Sequence, residues 1–331
     1  MTTVAPEREP GAQPLVASGR LERGIPFWVP IFALLAVVMA ILPLVGTGYA
    51  VRFGFTLLMS LALAASWNLL SGYTGYVSFA HAGFFGIGAY TAALLIARLR
   101  WDWSIAAVMG GLLAFGLALV IGVPALRLRG PYFAIAMLGF AETARVIVTV
   151  WEPLTRGGAG IFLPPTLDLA PNYWAMEALA VGTVALTALV ANSRHGLRLI
   201  AIREDEVAAE VGGINTTFYK TATFAISAAI AGVAGGLYAF NTSFVEPTSV
   251  FSVRFTVYAI AMTLFGGRGT ILGPIIGTVI LSFISERLWV DFPFLHTAIF
   301  GLLIVVVLLF MPGGLVALLQ QLGWLPRSRR Y

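Results

Sequence analysis

Long apolar runs recur along almost the whole chain and constrain its fold more than any other feature. A helix of about 17–25 apolar residues crosses a bilayer, because a helix satisfies its backbone hydrogen bonds internally. Hydrophobic residues make up 59% of the 331 residues and charged residues only 11%, against about 25% charged in soluble domains. The chain is therefore predicted to lie in a membrane, which excludes a soluble enzyme and a nucleic-acid-binding protein.

The runs predict an all-α, polytopic integral membrane protein with about ten spanning helices, some of them short or interrupted by glycine. The predicted spans are 27–46, 51–70, 77–97, 104–123, 131–150, 174–192, 220–241, 254–265, 270–287 and 295–311. They form one transmembrane domain over residues 27–311, between an N-terminal arm at 1–26 and a C-terminal tail at 312–331.

The placement of arginine predicts the orientation of these spans. Ten spans put the arm, the 126–130 loop, the polar 193–219 loop and the tail on one side, and each of these segments carries two or three arginines. Arginine-rich loops stay in the cytoplasm, so we expect all four there. A nine-span chain would leave the tail outside. Arg98 and Arg100 fall on the outer side, against the same rule.

Missing residue types exclude several chemistries. The chain has no cysteine, and its three histidines lie far apart, without the spacing of metal ligands. The single lysine, Lys220, follows Tyr219 instead of the glycine that a phosphate-binding G-x-x-x-x-G-K loop needs. We therefore expect no cofactor, no metal and no ATPase site on this chain, so that a partner subunit would hydrolyse any ATP used.

The 193–219 loop contains the segment REDEVAAEVGG, which predicts a short helix. Its acidic residues lie mostly early, where the helix dipole favours them, and Gly212 or Gly213 is expected to end it. Val207, Ala208 and Val211 form a narrow apolar stripe. A helix this short is unstable alone. The segment is therefore either a solvated loop or a helix docked on a partner.

The same loop carries the pattern G-x-x-x-x-A-I-R-x-x-E-x-A-A-x-x-x-G-I-N, beginning at Gly196. Three more blocks accompany it: GYTGYVSFAHAGFFGIGAYTAALL at 72–95, LRLRGPYFAIAMLGFAE at 126–142 and FGGRGTILGPIIGTVIL at 265–281. Together the four blocks resemble the permease subunits of ABC importers for branched-chain amino acids, the LivH/LivM family. The 126–142 block favours the LivM-type subunit over its LivH-type companion.

The resemblance implies a multi-pass subunit of the bacterial cytoplasmic membrane, embedded in lipid. Its implied partners are a LivH-like second permease, two ATPase subunits that bind ATP and Mg, and a periplasmic or lipid-anchored substrate-binding protein. The 193–219 loop would be the coupling helix that meets the ATPase. The residues implied in this contact are Arg203, Glu204, Asp205, Glu206, Ala208, Ala209, Gly213 and Asn215.

The glycine-rich 72–95 block allows two interpretations. Its small residues favour close helix packing in lipid, and they also suit a thin helix beside a translocation path. The residues predicted for such a path are Gly75, Ser78, His81 and Ala82. Ser78 and His81 form no hydrolytic dyad, because no G-x-S-x-G elbow or orienting acid accompanies them.

Glu142 and Arg145 interrupt an otherwise apolar span and share one helix face, three residues apart. Each charge at mid-membrane costs about 2.5–3.5 kcal/mol on insertion scales. Two interpretations remain open. The residues are either a structural ion pair, or they line the path and pair with the ammonium and carboxylate groups of an amino acid substrate.

The 151–174 loop is the longest predicted outer loop. It is a plain connector, or, by the resemblance, the external gate and binding-protein contact, with Gly157, Gly158 and Gly160 as its candidate residues. The family often carries Asn immediately before the last of these glycines, where this chain has Ala159. The substrate therefore stays open between branched-chain amino acids and related solutes such as urea or short amides.

Glycine spacing gives two further predictions. The pairs Gly232/Gly236 and Gly273/Gly277 have GxxxG spacing, which favours helix packing. The spacing G-x2-G-x7-G also occurs twice, beginning at Gly72 and at Gly266, and paired glycine-interrupted segments are typical of transporters built from repeats. Ten spans place both breaks on the same side of the membrane.

Three classes of function compete for this chain. An importer permease explains the polar loop, the missing ATPase motif and the four ordered blocks. A stand-alone secondary transporter or channel would carry more intramembrane charges for ion coupling. An intramembrane enzyme would need a nucleophile, a base and an orienting group, which the sequence does not supply.

Overall fold

The structure is a computed structural model that describes residues 28–165, 168–292 and 313–322, with isolated positions between 295 and 305. Its α-helices are α1 (Trp28–Val45), α2 (Gly48–Trp67), α3 (His81–Leu99), α4 (Trp103–Ala125), α5 (Pro131–Val150), α6 (Glu152–Thr155), α7 (Ala170–Ala191), α8 (Arg194–Glu204), α9 (Glu206–Val211), α10 (Thr216–Thr242), α11 (Pro247–Val250), α12 (Val253–Gly266), α13 (Leu272–Asp291) and α14 (Gly314–Gln321). A π-helical turn, Asn68–Gly72, extends α2, and a 3-10 turn spans Gly157–Ala159. Two short strands, β1 (Ile161–Phe162) and β2 (Phe244–Val245), pair antiparallel.

Eight segments of the described residues are long and apolar enough to cross a membrane. They are α2 with its π-helical turn, α3, α4, α5, α7, α10, α11 joined to α12, and α13. A shorter apolar helix, Phe32–Val45, lies within α1. These nine helices match the first nine predicted spans, which confirms the all-α, polytopic fold. The arm at 1–26 lies outside the described residues, as does most of the predicted tenth span at 295–311.

Helix α10 packs closely against α3 and α4 along its glycine face. A side chain at Gly232 would lie 2.7 Å from the Ala114 side chain on α4, and one at Gly236 would lie 2.7 Å from Ala107. Backbones approach this closely only where side chains are absent. The GxxxG packing predicted for Gly232/Gly236 is therefore confirmed.

The loops gather at two opposite ends of the bundle. At one end the two glycine breaks meet: the Asn68 side chain donates to Thr270 O at 2.9 Å and accepts from Gly269 N at 2.8 Å. At the other end β1 pairs with β2, which joins the 151–169 and 242–253 connections. The breaks thus lie on the same side, as ten spans require. We name the two ends after the predicted roles of their loops: the end with the glycine breaks is the coupling end, and the end with β1 and β2 is the outer end.

The predicted tail at 312–331 contains a helix, α14, that was not predicted from the sequence. Val316 is buried, and its Cβ lies 3.3 Å from the position that a side-chain carbon would take at Gly267. Gly314 has φ +71°, and a side chain there would meet the Gly267 backbone at 2.6 Å. Two facing glycines therefore let α14 pack onto the turn between α12 and α13, at the coupling end.

Of the eight long spans, α5 is the least buried within this chain. Only 17% of its apolar window is buried, against 83% for the span that contains α2. Its buried residues are Phe133, Met137 and Ala141, a single stripe at four-residue spacing. Ala136, Phe140, Ala144 and Val148 are partly buried against the same core, and the opposite side of α5 is exposed.

Candidate functional site

The predicted cytoplasmic segment folds as two helices joined at Asp205. Asp205 has extended backbone angles that end α8, and its side chain accepts hydrogen bonds from Val207 N and Ala208 N to cap α9. An aspartate at this position favours a new helix start because it satisfies two free N–H groups. Helix α9 ends at Val211 and is capped by Gly212, one of the two glycines predicted to end it, and Gly213 turns the chain with φ +83°.

Glu206 and Lys220 form a largely buried ion pair that ties α9 to α10. Lys220 Nζ lies 2.5 Å from Glu206 Oε1, and the side chains of Lys220 and Glu206 are 3% and 15% exposed. Tyr76 donates to Glu206 Oε2 at 2.5 Å and accepts from Lys220 at 3.1 Å. Lys220 also donates to Leu126 O at 3.1 Å. One lysine thus joins α9, α10, the 73–80 segment and the end of α4.

The surroundings keep the Glu206 carboxylate charged. Burial raises the pKa of Glu206. The hydrogen bonds from Lys220 and Tyr76, with the charges of Lys220 and Arg129, outweigh burial and hold that pKa below its usual range. Burial first, and then its hydrogen bond to Glu206, raise the pKa of the Tyr76 hydroxyl, which stays protonated as a donor.

Arg203 makes a second link from the segment to the membrane domain. Its guanidinium donates to Gly72 O at 3.2 Å and pairs with Glu204 at 2.9 Å. Gly75, with φ +79°, leaves room for the Arg203 side chain, which would lie 3.1 Å from an added Cβ. Arg203 therefore reaches the junction at which the two glycine breaks meet.

The segment presents a small apolar surface outward. Val207 is 53% exposed and Val211 is 85% exposed, one helical turn apart on α9. Glu204 and Glu210 are exposed beside them. We call these four residues, Glu204 at the end of α8 and the other three on α9, the α9 outer surface.

The residues predicted to meet an ATPase divide between two faces. Glu206 and Ala209 point into the chain, and Arg203 reaches inward to Gly72. Asp205 caps α9 and Asn215 caps α10, where it accepts from Phe218 N. The exposed residues of the predicted set are Glu204, Asp205, Ala208, Gly213 and Asn215.

Packing accounts for most of the residues predicted to line a path in the 72–95 block. Ser78, His81 and Ala82 are at most 2% exposed. His81 Nε2 lies 3.0 Å from Ser227 Oγ, and Ala82 N donates to Thr256 Oγ1 at 2.8 Å. These contacts fix α3 against α10 and α12.

Glu142 and Arg145 form an ion pair on the open surface of α5. Arg145 Nε donates to Glu142 Oε1 at 2.9 Å, and the side chains of Arg145 and Glu142 are 31% and 50% exposed. Glu142 is the twelfth residue of this twenty-residue helix, so it lies near mid-membrane. The pair is satisfied within α5, yet it faces away from the rest of the chain.

The predicted outer gate glycines lie in a tight, hydrogen-bonded turn. Gly157 and Gly160 have φ of +55° and +72°, and Gly160 packs against Val245 O and Phe244. A side chain at Gly158 would meet nothing within 4 Å. The backbone conformation therefore favours glycine at two of the three positions, and the third, Gly158, lies open at the outer end.

A sequence family described as the permease component of branched-chain amino acid transport systems matches residues 48–311. The chain belongs to this family. High-affinity LivM permease proteins of Salmonella typhimurium and Escherichia coli are each 31% identical over 280 residues, 75% of this chain and 65% of theirs. An Escherichia coli LivH permease protein is 29% identical over 294 residues, 80% of this chain and 93% of its own.

The chain therefore spans about two-thirds (65%) of the length of the LivM relatives. No solved structure matches it. The family and the spanning helices make this a multi-pass membrane protein.

Sequence reasoning missed the central role of Lys220 and Tyr76. One signal was present: Lys220 is the only lysine in an apolar chain and begins a predicted span. A buried lysine needs a carboxylate partner, and four acidic residues lie in the loop just before it. Tyr76 carried no comparable signal, since its place depends on how the 73–80 segment folds.

Proposed function

We propose that this chain is a membrane-spanning permease subunit of an ATP-driven importer, with α9 as the element that receives the ATPase. The observation that carries the proposal is the contrast between the two sides of α9. Its outer surface is exposed and apolar at Val207 and Val211, while Glu206 anchors its inner side on Lys220. A six-residue helix held this way transmits a push on its outer side to the membrane domain.

The ATP and Mg of this importer belong to two partner ATPase subunits in the cytoplasm of a bacterium. The positive-inside arrangement supports this orientation, because the coupling end carries Arg127, Arg129, Arg194 and Arg198. The exposed acids Glu204 and Glu210 favour a basic rim on the ATPase, which sets the register of docking.

Helix α5 is the proposed contact with the second, LivH-like permease. It is the least buried of the eight long spans and carries an exposed ion pair near mid-membrane. Contact between such a pair and lipid tails costs free energy. The pair therefore faces either the surface of the second permease or a polar path between the two permeases. The open glycine at Gly139, with nothing within 4 Å of an added Cβ, favours a close helix approach there.

The proposed substrates are branched-chain amino acids, delivered by a periplasmic or lipid-anchored binding protein to the outer end. Membership of the family and the names of the LivM and LivH relatives support this choice.

The test is uptake into proteoliposomes that contain this chain with its second permease, ATPases and binding protein. We expect ATP-dependent accumulation of leucine, isoleucine or valine, and no accumulation when this chain is left out. Accumulation of urea or a short amide in place of amino acids would keep the importer and replace the substrate. Uptake by this chain alone, without ATP, would overturn the proposal in favour of a secondary transporter.

A further inference from the structure

Two clefts lie side by side where the outer ends of α2 and α13 meet. They measure about 340 and 370 Å³, and Tyr49, Phe53 and Glu286 line both of them. The Tyr49 hydroxyl donates to Glu286 Oε1, and the Phe53 and Phe283 rings lie 5.1 Å apart. These two contacts form a bridge from α2 to α13, and the clefts lie on its two sides.

The clefts lie at the depth of the membrane interface. Tyr49 is the second residue of α2, and Glu286 lies five residues, about 7.5 Å along the axis, from the end of α13. Tyrosine and tryptophan are typical of this depth, and Trp289 lines the larger cleft. Phe283 and Val290 line the smaller cleft and are 55% and 57% exposed. An apolar mouth favours a ligand that enters from the bilayer over one that enters from water.

Three charged side chains mark the headgroup that fits here. Arg52 lines the larger cleft, Arg287 lines the smaller one, and Glu286 lies between them. The ion pairs formed among the described residues include none of these three. Guanidinium groups bind phosphate oxygens through charge-assisted hydrogen bonds, whereas the Glu286 carboxylate repels a phosphate and attracts an ammonium. The set therefore fits a headgroup that carries both a phosphate and an ammonium.

The space below the charges fits the rest of a diacyl lipid. Such a lipid has two chains under one headgroup, and the bridge divides the space into two clefts. Leu57 and Met262 supply apolar wall in the larger cleft, and the Ser285 hydroxyl lines it closer to Glu286. A hydroxyl at that depth donates to the ester carbonyl of an acyl chain.

We propose that the two clefts bind one phospholipid whose headgroup ends in a primary ammonium, with phosphatidylethanolamine as its simplest form. Arg52 and Arg287 bind the phosphate, Glu286 binds the ammonium, and one acyl chain lies on each side of the bridge. A free amino acid carries the same two charges, but it would leave one cleft empty and would have to enter past Phe283 and Val290. Placing the lipid in the outer leaflet rests on the proposed orientation, whereas the headgroup chemistry does not.

Native mass spectrometry of the full chain tests the proposal. The chain is presented with equal amounts of phosphatidylethanolamine, phosphatidylcholine and phosphatidylglycerol that have identical acyl chains. We expect the wild-type chain to retain the ethanolamine lipid at least about tenfold better than the choline lipid, because a trimethylated ammonium cannot donate the hydrogen bond to Glu286. Glu286→Gln should remove this preference and bind the glycerol lipid no more weakly than before. Arg52→Gln should weaken all three lipids.

Two variants at the same end of the bundle are matched controls. Arg254→Gln near the start of α12 and Glu152→Gln on α6 change exposed charges that do not line either cleft, so both should keep the wild-type preference. Added phosphatidylethanolamine should raise the melting temperature of the wild-type chain and of both controls, and leave that of Glu286→Gln unchanged, since a ligand stabilises only the fold that binds it.

Equal retention of the three lipids by the wild-type chain, or a preference that survives Glu286→Gln, would overturn the proposal. A last arm adds leucine to the lipid-loaded chain. Displacement of the lipid by leucine would make the clefts a solute site, and the proposal would fail. The lipid arms use neither ATP nor a partner subunit, so failure of the proposed transport function would leave their outcome unaffected.

Discussion

At the scale of single residues, the chain places its only lysine where three elements need a common partner. Lys220 binds a carboxylate, a hydroxyl and a main-chain carbonyl within 3.1 Å. A buried ion pair is stable only when its remaining polar groups are satisfied. Tyr76 and Leu126 O meet that condition here, so the pair fixes the position of α9 without leaving an orphan charge.

Removing one partner of this pair should cost more than removing both. Lys220→Met leaves the largely buried Glu206 with only the exposed Arg129, 4.0 Å away, as a cation, which destabilises by about 3–5 kcal/mol. Adding Glu206→Gln to Lys220→Met should recover a large part of the lost free energy of unfolding. Thermal and denaturant unfolding of the detergent-solubilised chain measures this. Arg129→Gln is the control: its side chain is 64% exposed and 4.0 Å from Glu206, so we expect under about 1 kcal/mol. Additive single and double effects would contradict a coupled pair.

The same pair gives stability a defined dependence on pH. The pKa of Glu206 is held below the 4.5 of a free glutamate. Burial raises this pKa, but the hydrogen bonds from Lys220 and Tyr76 lower it by more. A lowered pKa stabilises the fold above pH 4.5 and loses that effect as pH falls through the lowered value. We expect the difference in melting temperature between wild type and Glu206→Gln to be constant from about pH 7 to 5 and to shrink below 4.5. A difference that grows on acidification would show the opposite sign.

At the scale of elements, α5 is the least buried of the eight long spans and leaves one side exposed. Its stripe of Phe133, Met137 and Ala141 satisfies the contact with the bundle. Gly139 and Glu142 remain exposed away from that stripe. An exposed ion pair next to a small residue favours a helix–helix contact over a lipid contact.

A bulky residue on this surface should block assembly but not folding. A Cβ added at Gly139 meets no atom within 4 Å, so the Gly139→Leu chain alone should melt as wild type does. In a co-purification with the second permease, the variant should lose its partner. Gly182→Leu on α7 is the matched control, because its position is equally open. Loss of assembly in both variants, or in neither, would remove α5 as the contact.

Sequence patterns predicted most elements because a membrane span depends mainly on its own composition. Helix α5 begins and ends at the predicted residues 131 and 150, since Pro131 can start a helix. The connections were harder. Helix α3 begins at His81, four residues after the predicted start, because the 73–80 segment bonds to Trp67 and Ser71 instead.

The candidate site was predicted in place but only partly in orientation. The sequence predicted one short helix from Arg203 onward. The structure places Arg203 and Glu204 in α8 and starts α9 at Glu206, because Asp205 ends one helix and caps the next. The glycine end of α9 is confirmed, and its two valines are exposed. It did not reveal that Glu206 points inward, because that depends on Lys220 and Tyr76, which lie 14 and 130 residues away. The packing of α14 on Gly267 was likewise invisible, since it depends on two distant glycines.

At the scale of the whole molecule, the two ends of the bundle differ in character. The coupling end joins the glycine breaks, α8, α9 and α14 through polar anchors. The outer end carries the β1–β2 pair and the left-handed residues Arg100, Arg156 and Ser243. In the proposed coupling, a movement of α9 would reach the membrane helices through Glu206 and the neighbouring Arg203 before it reached the outer end.

Single cysteines can test which end faces the cytoplasm, since the chain has none of its own. Gly158→Cys lies open at the outer end and Val211→Cys is exposed on α9. An impermeant thiol reagent should label Gly158→Cys in right-side-out vesicles and Val211→Cys only after permeabilisation. The reverse pattern would invert the proposed orientation.

The most direct test of the coupling role concerns Val211. It is 85% exposed, so Val211→Asp should leave the melting temperature of the chain unchanged, whereas a charge on the α9 outer surface should prevent an apolar contact with the ATPase. In proteoliposomes of the assembled complex, we measure solute uptake and ATP hydrolysis together, with Val211→Thr as the size-matched control. We expect at least a tenfold fall in solute moved per ATP for Val211→Asp and near wild-type values for Val211→Thr. Wild-type uptake and stoichiometry in Val211→Asp would contradict it.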